Sequence, residues 1–201
     1  AVLIFDEITS GFRMCPGGIH LKYGINPDMA IFAKSMANGY AMAAVIGIEK
    51  VMNVAQDTFI SSTNWTERIG PVAAITTIKK YIDENVADHI INIGTEVKAV
   101  WKEMAKNHKL KINISGLPTL ASLTFSNENN QAMMTLFTIE MLKRGFLGWH
   151  QFKPSFAHSE KELKRYAKAV DEVFQIIAQD NWAEFLNTPT AHSGFTRLTS
   201  E

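Results

Sequence analysis

Two side chains of complementary chemistry punctuate the opening tract of this chain, the carboxylate of Asp6 and the amine of Lys34. The run Ala1-Val2-Leu3-Ile4-Phe5-Asp6-Glu7 predicts a buried β-strand that ends in two acids. Pro27-Asp28-Met29-Ala30-Ile31-Phe32-Ala33-Lys34 predicts a second apolar strand that ends in an amine. The C-terminal ends of neighbouring strands are where open α/β sheets bind ligands. An amine there can form a Schiff base with an aldehyde, while an acid can hold a pyridine nitrogen protonated. That pairing suits pyridoxal 5'-phosphate. The acids alone support a second reading, because an apolar strand closed by Asp-Glu also describes the magnesium-binding strand of P-loop NTPases. The bare pair does not separate the two, and the sequence holds no G-x-x-x-x-G-K-[ST] phosphate loop.

The longer pattern around these residues does separate them. Asp6-Glu7-Ile8-Thr9-Ser10-Gly11-Phe12-Arg13, then Tyr23-Gly24-Ile25-Asn26-Pro27-Asp28, then Ala33-Lys34-Ser35-Met36-Ala37-Asn38-Gly39 resembles the signature of the class III aminotransferases. The nearest branch is the glutamate-1-semialdehyde aminomutases, whose D-E-V-x-T-G-F-R, G-V-x-P-D and G-K-x-x-G-G-G align without a gap between acid and lysine. The resemblance implies that Asp6 bonds the pyridine nitrogen, that Ile8 packs on one ring face, and that Lys34 is the Schiff-base lysine and proton carrier. Ser61-Ser62-Thr63-Asn64-Trp65-Thr66 resembles the family's phosphate-binding segment and places Thr63 on its threonine. In the family that threonine reaches the cofactor of the neighbouring subunit, which implies a homodimer. Glu67 and Arg68 stand where the family has Asn-Pro.

The resemblance also implies fold type I of the pyridoxal-phosphate-dependent transferases, an α/β architecture. Residues 1–109 would form the second half of the large-domain sheet with a linking helix, and residues 110–201 a small α+β C-terminal domain. The implied activity is amino-group transfer on a small amine or amino-acid substrate. Ala33, Ser35, Ala37 and Asn38 depart from the aminomutase pattern, and His150-Gln151-Phe152-Lys153-Pro154-Ser155 is shorter than the matching aminomutase stretch. Both departures leave room for a related transaminase.

The elements that must position these residues fall into three tracts. Short apolar strands at Ala1–Phe5, Met29–Phe32 and Ala43–Ile48, separated by Gly- and Pro-rich turns, predict a sheet covered on both faces. Val72, Ile75, Ile78 and Ile82 recur at helical spacing, and a second stripe runs through Val86, Ile90, Ile93, Val97, Trp101 and Met104. Beyond 110 the pattern is strand, helix, strand, helix. Ala121, Leu123 and Phe125 alternate, and a stripe from Met133 to Met141 stops at Gly145. A strand is expected within Phe146–Phe156, and Ser159-Glu160-Lys161-Glu162 reads as a capping box.

Composition bounds the alternatives. The 201 residues are 46% hydrophobic, with 20 basic against 20 acidic side chains, so no basic field favours nucleic acid. Cys15 is the lone cysteine, which predicts a reducing, cytoplasmic setting, and no apolar run approaches a membrane span. The six histidines show no ligand spacing, so no metal is expected. Glu7 is read as solvated or structurally paired, Arg13 as structural, and Cys15 as a loop residue with no partner base. The chain begins without methionine and inside an apolar strand, and reads as the C-terminal part of a larger polypeptide. The isolated chain is then expected to be inactive and to associate through unpaired strand edges.

Overall fold

The computed structural model describes residues 1–61, 66–192 and 194, and divides the chain into two compact units, Ala1–Ile91 and Asn92 onward. The division falls inside a helix, earlier in the chain than the expected 109/110 boundary.

The first unit holds a three-stranded sheet of β1 (Ile4–Asp6), β2 (Met29–Phe32) and β3 (Ala44–Gly47), in that order. β1 runs parallel to β2 with Asp6 opposite Ile31, and β3 runs antiparallel with Phe32 opposite Ala44. β2 is the central strand, and it buries Ala30 and Phe32 on one face against Met36, Ala37 and Ala74. A short helix α1 (Glu49–Met52) follows β3, and α2 (Ile69–Asp83) comes after the segment that contains Thr63. The Glu67 carboxylate accepts from the amides of Ile69 (2.8 Å) and Gly70 (3.3 Å), satisfying donors that a helix start leaves open. Pro71 lies in that first turn, where no amide is required of it.

One expectation fails in this unit. Among the described residues the sheet is not covered on both faces, since Ile4, Val45 and Ile46 remain about half exposed, at 52%, 47% and 55%. On α2 the buried face is Gly70, Ala74 and Tyr81, while Val72, Ile75 and Ile82 lie exposed. Helical spacing identified a real apolar row. Of that row Ile78 packs against the core beside Ala74, while Val72, Ile75 and Ile82 point away from it.

α3 (Val86–Asn107) is separated from α2 by Asn85 in the left-handed conformation, φ +47°, so the helical tract is two helices. Its first residues, Ala87 and Ile90, pack with Tyr81 and Phe12 in the first unit.

The second unit is an antiparallel sheet, β4 (Ile112–Ser115), β5 (Ala121–Phe125) and β6 (Gln151–Phe152), with helices α4 (Asn130–Lys143) and α5 (Glu160–Ile177). Residues of β5 alternate as predicted, with Ala121, Leu123 and Phe125 buried. Its core joins Val97 and Trp101 of α3 to Phe137 and Met141 of α4 and to Val170, Val173 and Phe174 of α5. Each such side chain contributes ~1.5–3 kcal/mol by leaving water. Trp101 Nε1 donates to the Tyr166 hydroxyl at 2.9 Å, so the one polar group of this buried indole is satisfied. Gly94 lets α3 approach closely, since a Cβ there would lie 1.9 Å from the Pro118 carbonyl oxygen. The capping box forms: the Ser159 side chain accepts from Lys161 N, and Glu162 reaches back to Ser159 N. α4 ends before Gly145, at φ +83°. The strand expected within Phe146–Phe156 is only Gln151–Phe152.

Candidate active site

The site is built from the C-terminal ends of β1 and β2. Because these strands are parallel, with Asp6 opposite Ile31, both chains leave the sheet on the same side. The ladder continues one residue further through Glu7 N–H to the Ile31 carbonyl at 2.9 Å. The chain after Asp6 turns at once, and Ile8 N–H donates to Asp6 Oδ1 at 3.0 Å, which fixes the carboxylate over its own turn. Asp6 is exposed and Ile8 half-buried.

Lys34 leaves β2 under constraint. Ala33 is extended, then Lys34 adopts φ +48°, a left-handed conformation that lysine rarely takes. Its carbonyl accepts from the amides of Ala37 (3.3 Å) and Asn38 (3.1 Å), which closes a tight turn. The amine reaches back across the strand ends, and Lys34 Nζ donates to Thr9 Oγ1 at 2.7 Å. Asp6 and Lys34 therefore converge on one loop: the first is anchored at Ile8 and the second at Thr9.

That loop is held from beneath by Glu7, which is only 1% exposed. Its Oε1 accepts from His20 N–H at 3.1 Å and lies 2.9 Å from His20 Nδ1, while the Ser10 hydroxyl donates to Oε2. Burial pushes the Glu7 carboxyl up, but the hydrogen bonds from Ser10 and His20 outweigh it, and the group stays below the usual carboxylate value. Arg13 Nε donates to the Thr9 carbonyl at 3.0 Å, the structural role expected of it. Cys15 Sγ donates to the Gly18 carbonyl at 3.2 Å, and burial pushes its thiol up, so it is a poor nucleophile.

Asp6, Ile8 and Lys34 thus occupy one rim of the sheet. Thr63 lies outside the described residues. A cavity of about 470 Å³, lined by Ala37, Asn38, Tyr40, Arg68, Val72 and Thr76 among others, adjoins the turn that Lys34 opens. Asp6 and Lys34 are not among its lining residues. Sequence reasoning missed Thr9 and His20. Thr9 carried a faint signal, as a hydroxyl three residues after the strand-end acid, whereas nothing in sequence pairs His20 with Glu7. Among the described residues no group of three or more His, Cys, Asp or Glu side chains is placed to hold a metal ion, and no helix is long and apolar enough to cross a membrane.

Comparison with known proteins bears on this geometry. The sequence model of the family "Aminotransferase class-III" matches residues 1–182. The chain is 31% identical, over 177 residues, to 3-aminobutyryl-CoA aminotransferase of Cloacimonas acidaminovorans (strain Evry), covering 85% of this chain and 43% of that protein. It is 27% identical to glutamate-1-semialdehyde 2,1-aminomutase of Nitrosopumilus maritimus (strain SCM1), covering 81% and 43%. Among solved structures, the internal aldimine form of the Sphingopyxis sp. MTA144 FumI protein with PLP superposes with a TM-score of 0.85 at 24% identity, covering 90% of this chain and 44% of that one. The chain spans less than half the length of these relatives.

Proposed function

The chain belongs to the class III aminotransferases, and from that premise we propose that it takes part in pyridoxal-5'-phosphate-dependent amino-group transfer on a small amine or amino-acid substrate. The observation that carries the reading is the convergence of Asp6 and Lys34 on one loop at the C-terminal rim of a parallel strand pair. An exposed carboxylate and an exposed amine on adjacent strand ends are the donor set this cofactor needs. When bound, the cofactor supplies an aldehyde for amine capture and a protonated ring that accepts the electron pair released at the substrate carbon.

This chain's own residues do the rest. The Asp6 carboxylate holds the proton at the ring nitrogen, and its bond from Ile8 N–H keeps it from rotating away. The Ile8 side chain covers one apolar face and excludes water there. Lys34 Nζ would supply the amine that holds the cofactor and would serve as the group that carries the proton. Thr63, on the segment leading into α2, anchors the phosphate of a second subunit's cofactor in a homodimer. The exposed row Val72, Ile75 and Ile82 on α2 follows directly in sequence and supplies apolar surface for that association. A cytoplasmic setting goes with this reading. Amino-group transfer between two molecules is favoured over the aminomutase reaction by Ala37 and Asn38, which replace two glycines of the aminomutase pattern.

The test is the visible absorbance that pyridoxal phosphate gains on joining a lysine amine. In the complete enzyme the wild-type sequence is expected to show it and Lys34→Ala to lose it, with Asp6→Asn retaining the band but losing about 100-fold or more in turnover. A Lys34→Ala protein that keeps the band would overturn the assignment. Val72→Glu is expected to weaken self-association in sedimentation, and an unchanged dimer would remove α2 from the interface.

A further inference from the structure

We infer that Glu7 and His20 are positioning residues for the Lys34 amine, acting through Thr9; the inference rests on the amine-bearing site proposed above. Glu7 does not touch Lys34. It is the most deeply buried acid in the first unit among the described residues, and a carboxylate in such surroundings persists only where donors fill its lone pairs. Three donors do so here, Ser10 Oγ, His20 N–H and His20 Nδ1, and they fix the side chain in one geometry.

The clamp reaches both strands of the site. His20 is 8% exposed, and its ring packs edge-on to Phe5 at 5.8 Å and tilted to Phe32 at 6.5 Å. Phe5 directly precedes Asp6 on β1, and Phe32 ends β2 just before Ala33 and Lys34. Around this ring there is no slack, since a Cβ on Gly18 would fall 2.3 Å from His20 ring atoms and 2.8 Å from Glu7 Oε1. Thr9 sits between the pinned neighbours Glu7 and Ser10, with its own carbonyl held by Arg13. Its hydroxyl is thereby aimed at Lys34 Nζ, 2.7 Å away. The buried pair fixes the loop, the loop fixes Thr9, and Thr9 fixes the amine.

The experiment measures the amine itself in the cofactor-free full chain. Brief acylation with acetic anhydride at constant pH, followed by peptide mass spectrometry, gives the modification rate of Lys34. Thr9→Val, which keeps the shape and removes the acceptor, is expected to raise that rate about fivefold, the size of one lost hydrogen bond. Thr9→Ser should stay near wild type. Glu7→Gln should raise the rate about as much, and the double variant Glu7→Gln/Thr9→Val no further than Thr9→Val alone, because both changes break one contact. Ala74→Gly, which loosens the same unit through α2, reports what lost stability alone does and should leave the rate unchanged. If Glu7→Gln does not fold, His20→Asn takes its place with the same expectation. A wild-type rate in these clamp variants, or effects that multiply in the double variant, would overturn the inference. After addition of pyridoxal phosphate the visible maxima of Glu7→Gln and Thr9→Val should shift together. If wild type gains no visible band, the cofactor reading fails, while the acylation rates still decide the positioning role.

Discussion

Lys34 carries φ +48°, where Cβ crowds the following carbonyl and a non-glycine residue is raised by ~1–2 kcal/mol. Lys34→Ala and Lys34→Gly both delete the amine and its bond to Thr9, so the difference between them isolates the backbone term. Glycine relieves the crowding but gives the unfolded chain more freedom, which opposes it by ~0.4–1 kcal/mol. The crowding term is larger, and the glycine variant should be the more stable by ~0.5–1 kcal/mol. In a unit of this size, Ala1–Ile91, that corresponds to about 2–8 °C in Tm. Thermal unfolding of the two variants without cofactor measures it. Hydrogen exchange at the Ala37 and Asn38 amides, which donate to the Lys34 carbonyl, reports the same turn locally. Asn38→Gly is the internal control. Asn38 also sits at φ +48°, but asparagine tolerates that region, so its gain should be smaller. An alanine variant as stable as the glycine variant would refute the reasoning, because the lysine would then adopt the turn without strain imposed by its surroundings.

Three further outcomes follow from the packing. Burial raises the Glu140 carboxyl, but hydrogen bonds from Lys143 and Arg144 outweigh it and hold the group below the ordinary value of 4.5. Its contribution is therefore fully present above that value and lost as pH falls through the lowered one, so Glu140→Gln should flatten the acid limb of a stability–pH curve; an unchanged limb would exclude it. Tyr166→Phe leaves Trp101 Nε1–H buried without its partner and should cost ~1–3 kcal/mol in urea unfolding, and Trp101→Phe added to it should cost less than the separate losses combined. Gly94→Ala drives a methyl into the Pro118 carbonyl and should destabilise the second unit by ~1–3 kcal/mol, read from the urea midpoint of that unit's aromatic signal; a neutral result would mean the helix can shift freely.

The rim positions of Asp6 and Lys34 were legible in sequence because each follows or closes an apolar run, and the length of a run places its end. The Ser159 capping box and the Gly145 stop were legible for a similar reason, since both are local devices complete within a few residues. What sequence could not supply is pairing across distance. Glu7 and His20 meet because residues 7–20 fold back beneath the rim, and no periodicity encodes that return. Thr9 gains its meaning only once the turns after β1 and β2 bring Lys34 Nζ within 2.7 Å of its hydroxyl. The α2 row shows the limit most sharply. A helical repeat of Val72, Ile75, Ile78 and Ile82 states that the helix is apolar there but not which members are covered, and only Ile78 packs against the core. The first unit buries Gly70, Ala74 and Tyr81 instead: Ala74 packs with Ala30 and Phe32 of the sheet, and Tyr81 with Ala87, Ile90 and Phe12. Val72, Ile75 and Ile82 are surface in this unit, and an exposed apolar row of that kind is where the second subunit proposed above would dock.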